Sequence, residues 1–138
     1  KTVEEKGIEQ VDNLEYLLKE SDVVAIHVHV TEDTIGMINK TCFNVMKRDV
    51  VLVNTSRGDI VNEINLVDFL QSNPEARIAT DVLADEIKNR MSSPLLKYAL
   101  ESEQVIITPH IGGMCREAQE IAYGHAATRL LIFIKEGE

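Results

Sequence analysis

The chain has 138 residues, 44% of them hydrophobic, with 23 acidic against 14 basic residues and a formal net charge of -9. That length buries the core of one globular domain. Acidic residues spread along the chain, aromatics at 4% and the absence of Trp exclude a phosphate-neutralising or base-stacking nucleic-acid surface.

Cys42 and Cys115 stand far apart without CxxC or Cys/His ligand spacing, so a reduced, cytoplasmic setting is expected, with both thiols acting as small buried apolar groups. No run of about 18 apolar residues and no basic-then-apolar N-terminus occur, so neither a membrane span nor a signal peptide is expected. Lys1 is not an initiator Met, which points to a chain that begins inside a longer polypeptide.

Asp12 with Glu15 three residues on reads as a capping box, and Leu14, Leu17 and Leu18 share the face of a short helix over 13–20, before Ser21-Asp22 breaks the pattern. Residues 23–30, apolar in their first half and bounded by polar residues, read as a parallel strand covered on both faces. Residues 50–54 (VVLVN) repeat that signature and run directly into the polar turn Thr55-Ser56-Arg57-Gly58. Asn62 is an N-cap for a helix through Ile64, Leu66, Val67, Phe69 and Leu70, which Asn73-Pro74 stops. Residues 77–82 form the next strand, and 83–104 are irregular, with Ser93-Pro94 opening a short helix because Pro is tolerated at the first helical position. A last strand over 105–108 precedes a helix over 116–135, carried by Ala118, Ile121, Ala122, Ala126, Leu130 and Phe133, which ends near Gly137.

This alternation predicts an α/β fold with four parallel strands. In open α/β sheets ligands bind just outside the carboxyl ends of the strands. Those ends hold His27 to His29, Thr55-Ser56-Arg57, Asp81 and Pro109-His110.

Taken alone, Arg57 fits a surface arginine. Its turn after an apolar strand, followed by Gly58, is also where a planar guanidinium can meet a substrate carboxylate through two parallel hydrogen bonds. His110 fits a structural cap of a strand end or a proton-transfer group: Pro109 restrains the backbone, Gly112-Gly113 permits close ligand approach, and imidazole titrates near neutrality. Glu86, between Asp85 and Lys88, fits a solvated acidic loop, or a carboxylate that orients His110 and favours its charged form. Asp81 reads equally as a turn residue and as a cofactor contact. His27 and His29, two apart on one strand face, lack a third ligand at a telling distance, so no metal site is expected. His125, in mid-helix, reads as a packing or surface residue.

The segments SDVVAIHVHVTEDTIGMIN, MKRDVVLVNTSRGDIVNE, DVLADE and VIITPHIGG, in this order, resemble the D-isomer-specific 2-hydroxyacid dehydrogenases, the group that includes phosphoglycerate dehydrogenase. The resemblance spans residues 7–136. It implies a Rossmann-like, doubly wound dinucleotide-binding domain beside a separate substrate domain, with NAD as cofactor and a 2-hydroxy acid, plausibly of phosphoglycerate type, as substrate. Arg57 would bind the substrate's carboxylate and carbonyl oxygen, His110 would exchange the proton at the 2-position, and Glu86 would pair with that histidine. Thr55, Ser56, Arg57 and Asp81 would line the nicotinamide-ribose side, with Val28, His29 and Thr34 nearby, and His110, Gly112 and Gly113 completing the wall. Two positions depart from the family: His29 stands where proline is usual, and Ile87 stands where proline usually follows the glutamate.

The G-x-G-x-x-G turn that cradles a pyrophosphate, and the acid about 20 residues beyond it, occur nowhere in the chain. The expectation is therefore that residues 1–138 are the C-terminal half of a dinucleotide-binding domain, without its first βαβ unit and without the substrate domain. If residues 8–11 are the family's third strand, the missing strands would leave 23–30 as an open apolar edge, and, if these residues exist alone, two copies are expected to pair through it as a homodimer or to exchange elements. The alternative function on the same fold is an NADH-sensing interaction module of corepressor type.

Overall fold

Four β-branched runs align in one sheet. The computed structural model describes residues 7–136, and its strands β1 (Val23–Ile26), β2 (Val51–Asn54), β3 (Arg77–Thr80) and β4 (Val105–Ile107) lie side by side in chain order, all parallel. The register pairs Val23 with Val51, Val51 with Arg77, and Ile78 with Val105, so the carboxyl ends of the strands finish together along one edge. Helices α1 (Leu14–Glu20), α2 (Lys40–Val45), α3 (Glu63–Ser72), α4 (Glu86–Asn89), α5 (Pro94–Ala99) and α6 (Arg116–Glu136) complete the order, with 3-10 turns at Gly58–Ile60 and Arg90–Ser92. The expected Rossmann-like α/β class is what forms.

The chain divides into two compact units, residues 7–107 and 108–136 of the described part. In the first, α1, α2, α3 and α5 pack in sequence as one helical layer. Because successive strand side chains point to opposite faces, one set, Ile26, Leu52 and Ile78, is buried against Leu18, Phe43, Met46, Leu66, Leu70 and Leu95. The other set is more open: Val23 and Ile106 are 60% and 66% exposed. The expected strand over 23–30, covered on both faces, is thus corrected. It ends at Ile26, where its partner β2 ends at Asn54, and within this unit helices cover only one face.

Local chemistry sets the helix starts. Asn13, not Asp12, caps α1, its Oδ1 accepting from the Tyr16 N–H at 3.0 Å. Asn62 caps α3 by accepting from the Asn65 N–H at 3.0 Å, and Ser93 caps α5 by accepting from the Leu96 N–H at 3.0 Å with Pro94 at the first position, both as the sequence predicts. Helix α2 was not anticipated. Its cap Asn39 and the buried Cys42, Phe43 and Met46 at helical spacing are the signal that marks it. Residues 8–11 form no strand, having no sheet partner among the described residues.

The second unit is a turn leading into α6, which matches the predicted helix; the expected cap near Gly137 lies outside the described residues. Cys115 is exposed and not buried as expected, because it sits in that turn, whereas Cys42 is buried in the core. His125 is on an exposed stretch of α6. Among the described residues no helix is long and apolar enough to cross a membrane.

Candidate active site

Asn54, the last residue of β2, shapes the turn that carries Arg57. Its side chain is 2% exposed, and it bridges the turn twice: Nδ2 donates to the Arg57 carbonyl at 2.9 Å, and Oδ1 accepts from the Ser56 N–H at 3.0 Å. Its own carbonyl accepts from Thr80 Oγ1 at 3.1 Å and from the Asp81 N–H at 3.0 Å, which ties the ends of β2 and β3 together. A buried amide with both polar ends satisfied fixes local backbone shape. Sequence reading passed over Asn54 because it reads as the polar end of an apolar strand. An asparagine followed by Thr-Ser-Arg-Gly is nonetheless the signature of a side chain that bonds backbone two and three residues on.

Arg57 projects from this turn and is exposed. One of its Nη1 hydrogens is donated to the Ser56 carbonyl at 2.7 Å, and it has no carboxylate partner among the described residues. It lines an open cleft of about 480 Å³ with His27, His29, Val30, Thr55 and Ser56. Among the described residues no acidic side chain lines that cleft, in a chain of net charge -9. The donors are a guanidinium, two hydroxyls and two imidazoles, a set suited to an anionic, hydroxyl-rich ligand.

The opposite lip is the segment after β1. Ser56 Oγ donates to the Val28 carbonyl, and Thr34 Oγ1 donates to the His29 carbonyl at 2.7 Å while accepting from the Thr31 N–H at 2.7 Å. Val28 is thus tied to Ser56 directly, and Thr34 is tied to His29, the next residue along the same segment. Because residues 27–30 lie outside the strand, the shared-face argument for His27 and His29 no longer applies, although both line the cleft. Without a proline at 29, the two Thr34 bonds brace the loop.

Asp81 is 7% exposed at the end of β3. The chain then passes through buried Val82 and Leu83 to Glu86, which opens α4 half-buried, its Oε2 accepting from the Leu83 N–H at 3.1 Å. Asp85 before it holds a left-handed backbone with φ 54°. Ile87 is 97% exposed and fills no core position.

The Arg57 turn and the Glu86 segment meet at Gly58. A Cβ there would stand 2.0 Å from the Leu83 carbonyl carbon and 2.2 Å from the Ala84 nitrogen, so only glycine permits this approach. Thus Arg57, Thr55, Ser56, Asp81 and Glu86 all belong to the first unit and follow β2 or β3.

His110 belongs to the second unit, with Gly112 and Gly113. It is half-buried, donates its N–H to the Thr108 carbonyl at 3.0 Å, and has φ 57°. A non-glycine residue in the left-handed region costs on the order of 1 kcal/mol and persists where its surroundings over-determine it, a pattern concentrated at functional sites. A Cβ at Gly113 would meet nothing within 4 Å. Among the described residues, no three His, Cys, Asp or Glu side chains group as metal ligands.

A parallel α/β sheet with its polar and cationic residues gathered at the strand carboxyl ends defines a Rossmann-type ligand-binding domain. Residues 1–112 match the family described as D-isomer specific 2-hydroxyacid dehydrogenase, NAD binding domain, and the chain belongs to that family. It is 40% identical over 116 residues to a D-3-phosphoglycerate dehydrogenase of Archaeoglobus fulgidus, covering 84% of this chain and 21% of that protein. It is 36% identical over 132 residues to a glyoxylate reductase of Thermococcus litoralis, covering 96% and 38%. The crystal structure of D-lactate dehydrogenase from Aquifex aeolicus, complexed with NAD and lactic acid, superposes with a TM-score of 0.76 at 32% identity, covering 97% of this chain and 43% of that one. The chain therefore spans well under half the length of these relatives. NAD is the cofactor of this domain family.

Proposed function

We propose that this chain is part of an NAD-dependent D-2-hydroxyacid dehydrogenase that interconverts a 2-oxo acid and a D-2-hydroxy acid, with a phosphoglycerate-type acid as the substrate class. The observation that carries the reading is the acid-free cleft with Arg57 at its edge. A cleft lined by a guanidinium, imidazoles and hydroxyls attracts an anionic acid, and the guanidinium fork is matched to a carboxylate.

In this reading Thr55, Ser56, Arg57 and Asp81 hold the nicotinamide-ribose side of NAD, with Val28, His29 and Thr34 at its lip and His110, Gly112 and Gly113 contributing the remaining wall. The bound cofactor supplies or accepts the hydride. Arg57 binds the substrate's carboxylate and polarises the 2-oxo oxygen, holding the acid in one orientation. His110 delivers the proton to that oxygen on reduction and takes it back on oxidation. Glu86 would pair with that histidine and keep its imidazole oriented for the transfer.

The same reading makes residues 1–138 the C-terminal half of a dinucleotide-binding domain, with the substrate domain elsewhere in the protein. It also makes the protein a cytoplasmic homodimer. The two free cysteines support the reduced, cytoplasmic setting.

The experiment is turnover of the full-length protein with NADH and a panel of 2-oxo acids, in wild type, R57A, R57K and H110A. R57A lowers kcat/KM roughly 100-fold, the value of a lost charged hydrogen-bond pair. R57K recovers little of it, because an ammonium keeps the charge but not the fork. H110A abolishes turnover. Wild-type kcat/KM in R57A, or no turnover across the panel, refutes the proposal.

A further inference from the structure

Glu63 is a buried carboxylate that none of the roles above uses. It is 6% exposed at the first position of α3, and its side chain leaves that helix to meet the Glu86 segment at both ends. Oε1 accepts from the Ala84 N–H at 2.8 Å, and Oε2 accepts from Ser93 Oγ at 2.6 Å and from the Leu95 N–H at 3.4 Å. Ala84 lies two residues before Glu86 and Ser93 seven after it, so one side chain closes the loop that carries Glu86. Ser93 passes the constraint on by capping α5 through the Leu96 N–H.

A buried carboxylate is costly without donors and strongly held with them. Here three donors meet it, and its place in the first turn of the ten-residue α3 puts the negative charge at the favourable end of the helix dipole. Asp85 and residues 87–92 are exposed, Asp85 sits at φ 54°, and the Asp85 N–H reaches Asp59 Oδ1 only at 3.5 Å. Beside this anchor, Gly58 brings the Arg57 turn against Leu83 and Ala84. The Leu83 N–H in turn holds Glu86 Oε2 at 3.1 Å. The line from Glu63 to Glu86 thus passes through backbone, Ala84 to Leu83, with no flexible side chain between.

We infer that Glu63 is a positioning residue for Glu86: its carboxylate clamps residues 84–95 so that the Glu86 carboxylate is held at a fixed place beside the Arg57 turn. This inference rests on the proposed role of Glu86 in tuning a catalytic histidine. Replacement by Leu removes all acceptors at similar volume. Replacement by Gln keeps one acceptor for the Ala84 N–H and lets the Ser93 hydroxyl rotate to accept, losing the longer bond from the Leu95 N–H, so it rescues part of the clamp.

The test uses the full-length protein with E63L, E63Q, S93A, E86Q and the double variant E63L/E86Q. E63L lowers kcat on the order of 10- to 100-fold, the scale set by ångström misplacement of a catalytic group. It leaves NADH affinity within about twofold and moves the kcat/KM pH profile in the same direction as E86Q does. E63Q returns both values towards wild type, and S93A gives a smaller change of the same sign. In the E86Q background E63L has no further effect on kcat. An equal loss in that background, or an unmoved pH profile, overturns the inference.

If the wild-type protein reduces no 2-oxo acid, the functional reading fails on its own, and hydrogen exchange decides the clamp. E63L, or S93A where E63L does not fold, then speeds amide exchange over 84–95 at least tenfold while 51–54 and 77–80 keep wild-type protection. Unchanged exchange over 84–95 overturns it.

Discussion

Gly58→Ala isolates one geometric fact, the approach of two backbone segments. The added methyl would sit 2.0 Å from the Leu83 carbon, 2.2 Å from the Leu83 oxygen and 2.2 Å from the Ala84 nitrogen, all backbone atoms. Restoring an ordinary 3.4 Å separation from the nearest atom requires 3.4 − 2.0 = 1.4 Å of movement. Neither side yields easily. Gly58 lies beyond the Asn54-braced turn, and Ala84 is bonded to Glu63 at 2.8 Å. Overpacking of a buried site costs about 1–3 kcal/mol, and a clash with backbone on both sides belongs at the upper end. A loss of about 3 kcal/mol lowers Tm by roughly 6–12 °C. A displacement above 1 Å between Arg57 and Glu86 should also cost on the order of 100-fold in kcat/KM. Thermal denaturation followed by circular dichroism, with 2-oxo-acid turnover of the folded variant, measures both. A Tm within 2 °C of wild type together with unchanged turnover refutes the close approach.

Asn54→Asp keeps an acceptor for the Ser56 N–H but sets a carboxylate oxygen against the Arg57 carbonyl, so it destabilises by about 2 kcal/mol in urea denaturation and raises KM for the 2-oxo acid. Leu66→Ala empties a core position that is 1% exposed and costs about 2–5 kcal/mol with no effect on KM, read by the same urea titration. Lys47 donates to Asp22 at 2.6 Å, and this hydrogen bond raises its pKa above the usual 10.5. Because the folded-state value is raised, the contribution is fully present below pH 10.5 and is lost as pH rises from there through the higher folded-state value. The Tm deficit of K47M should therefore persist from pH 7 to 10 and close only at higher pH.

The sheet was legible because its signal is local. Runs such as VVAI and VLVN are β-branched, each ends in polar residues, and Asn62, Asn73-Pro74 and Ser93-Pro94 punctuate the helices. The end of β1 at Ile26 was not legible, since HVHV is itself a good strand sequence. What stops pairing is the partner: β2 ends at Asn54, and the next contact across the strands is made by Ser56 Oγ with the Val28 carbonyl. The burial of Cys42 and the exposure of Cys115 divide the same residue type between core and turn, a difference that composition cannot carry.

For the site, the residues proposed to face a ligand were easier to find than those that hold them. Arg57 and Glu86 stand out as charged groups after apolar strands, and each takes its place from a neighbour that reads as ordinary. Asn54 looks like the end of a strand, and Glu63 like an acidic residue in a first helical turn, where carboxylates are common for dipole reasons alone. Their second function appears only through contacts distant in sequence, Glu63 with Ala84, Ser93 and Leu95, and the Asn54 carbonyl with Thr80 and Asp81. A side chain that must be accurate to a fraction of an ångström needs such support, because the turn that exposes it to a ligand deprives it of core packing. Asn54 under the Arg57 turn and Glu63 beside the Glu86 loop are therefore where the precision of these two segments resides.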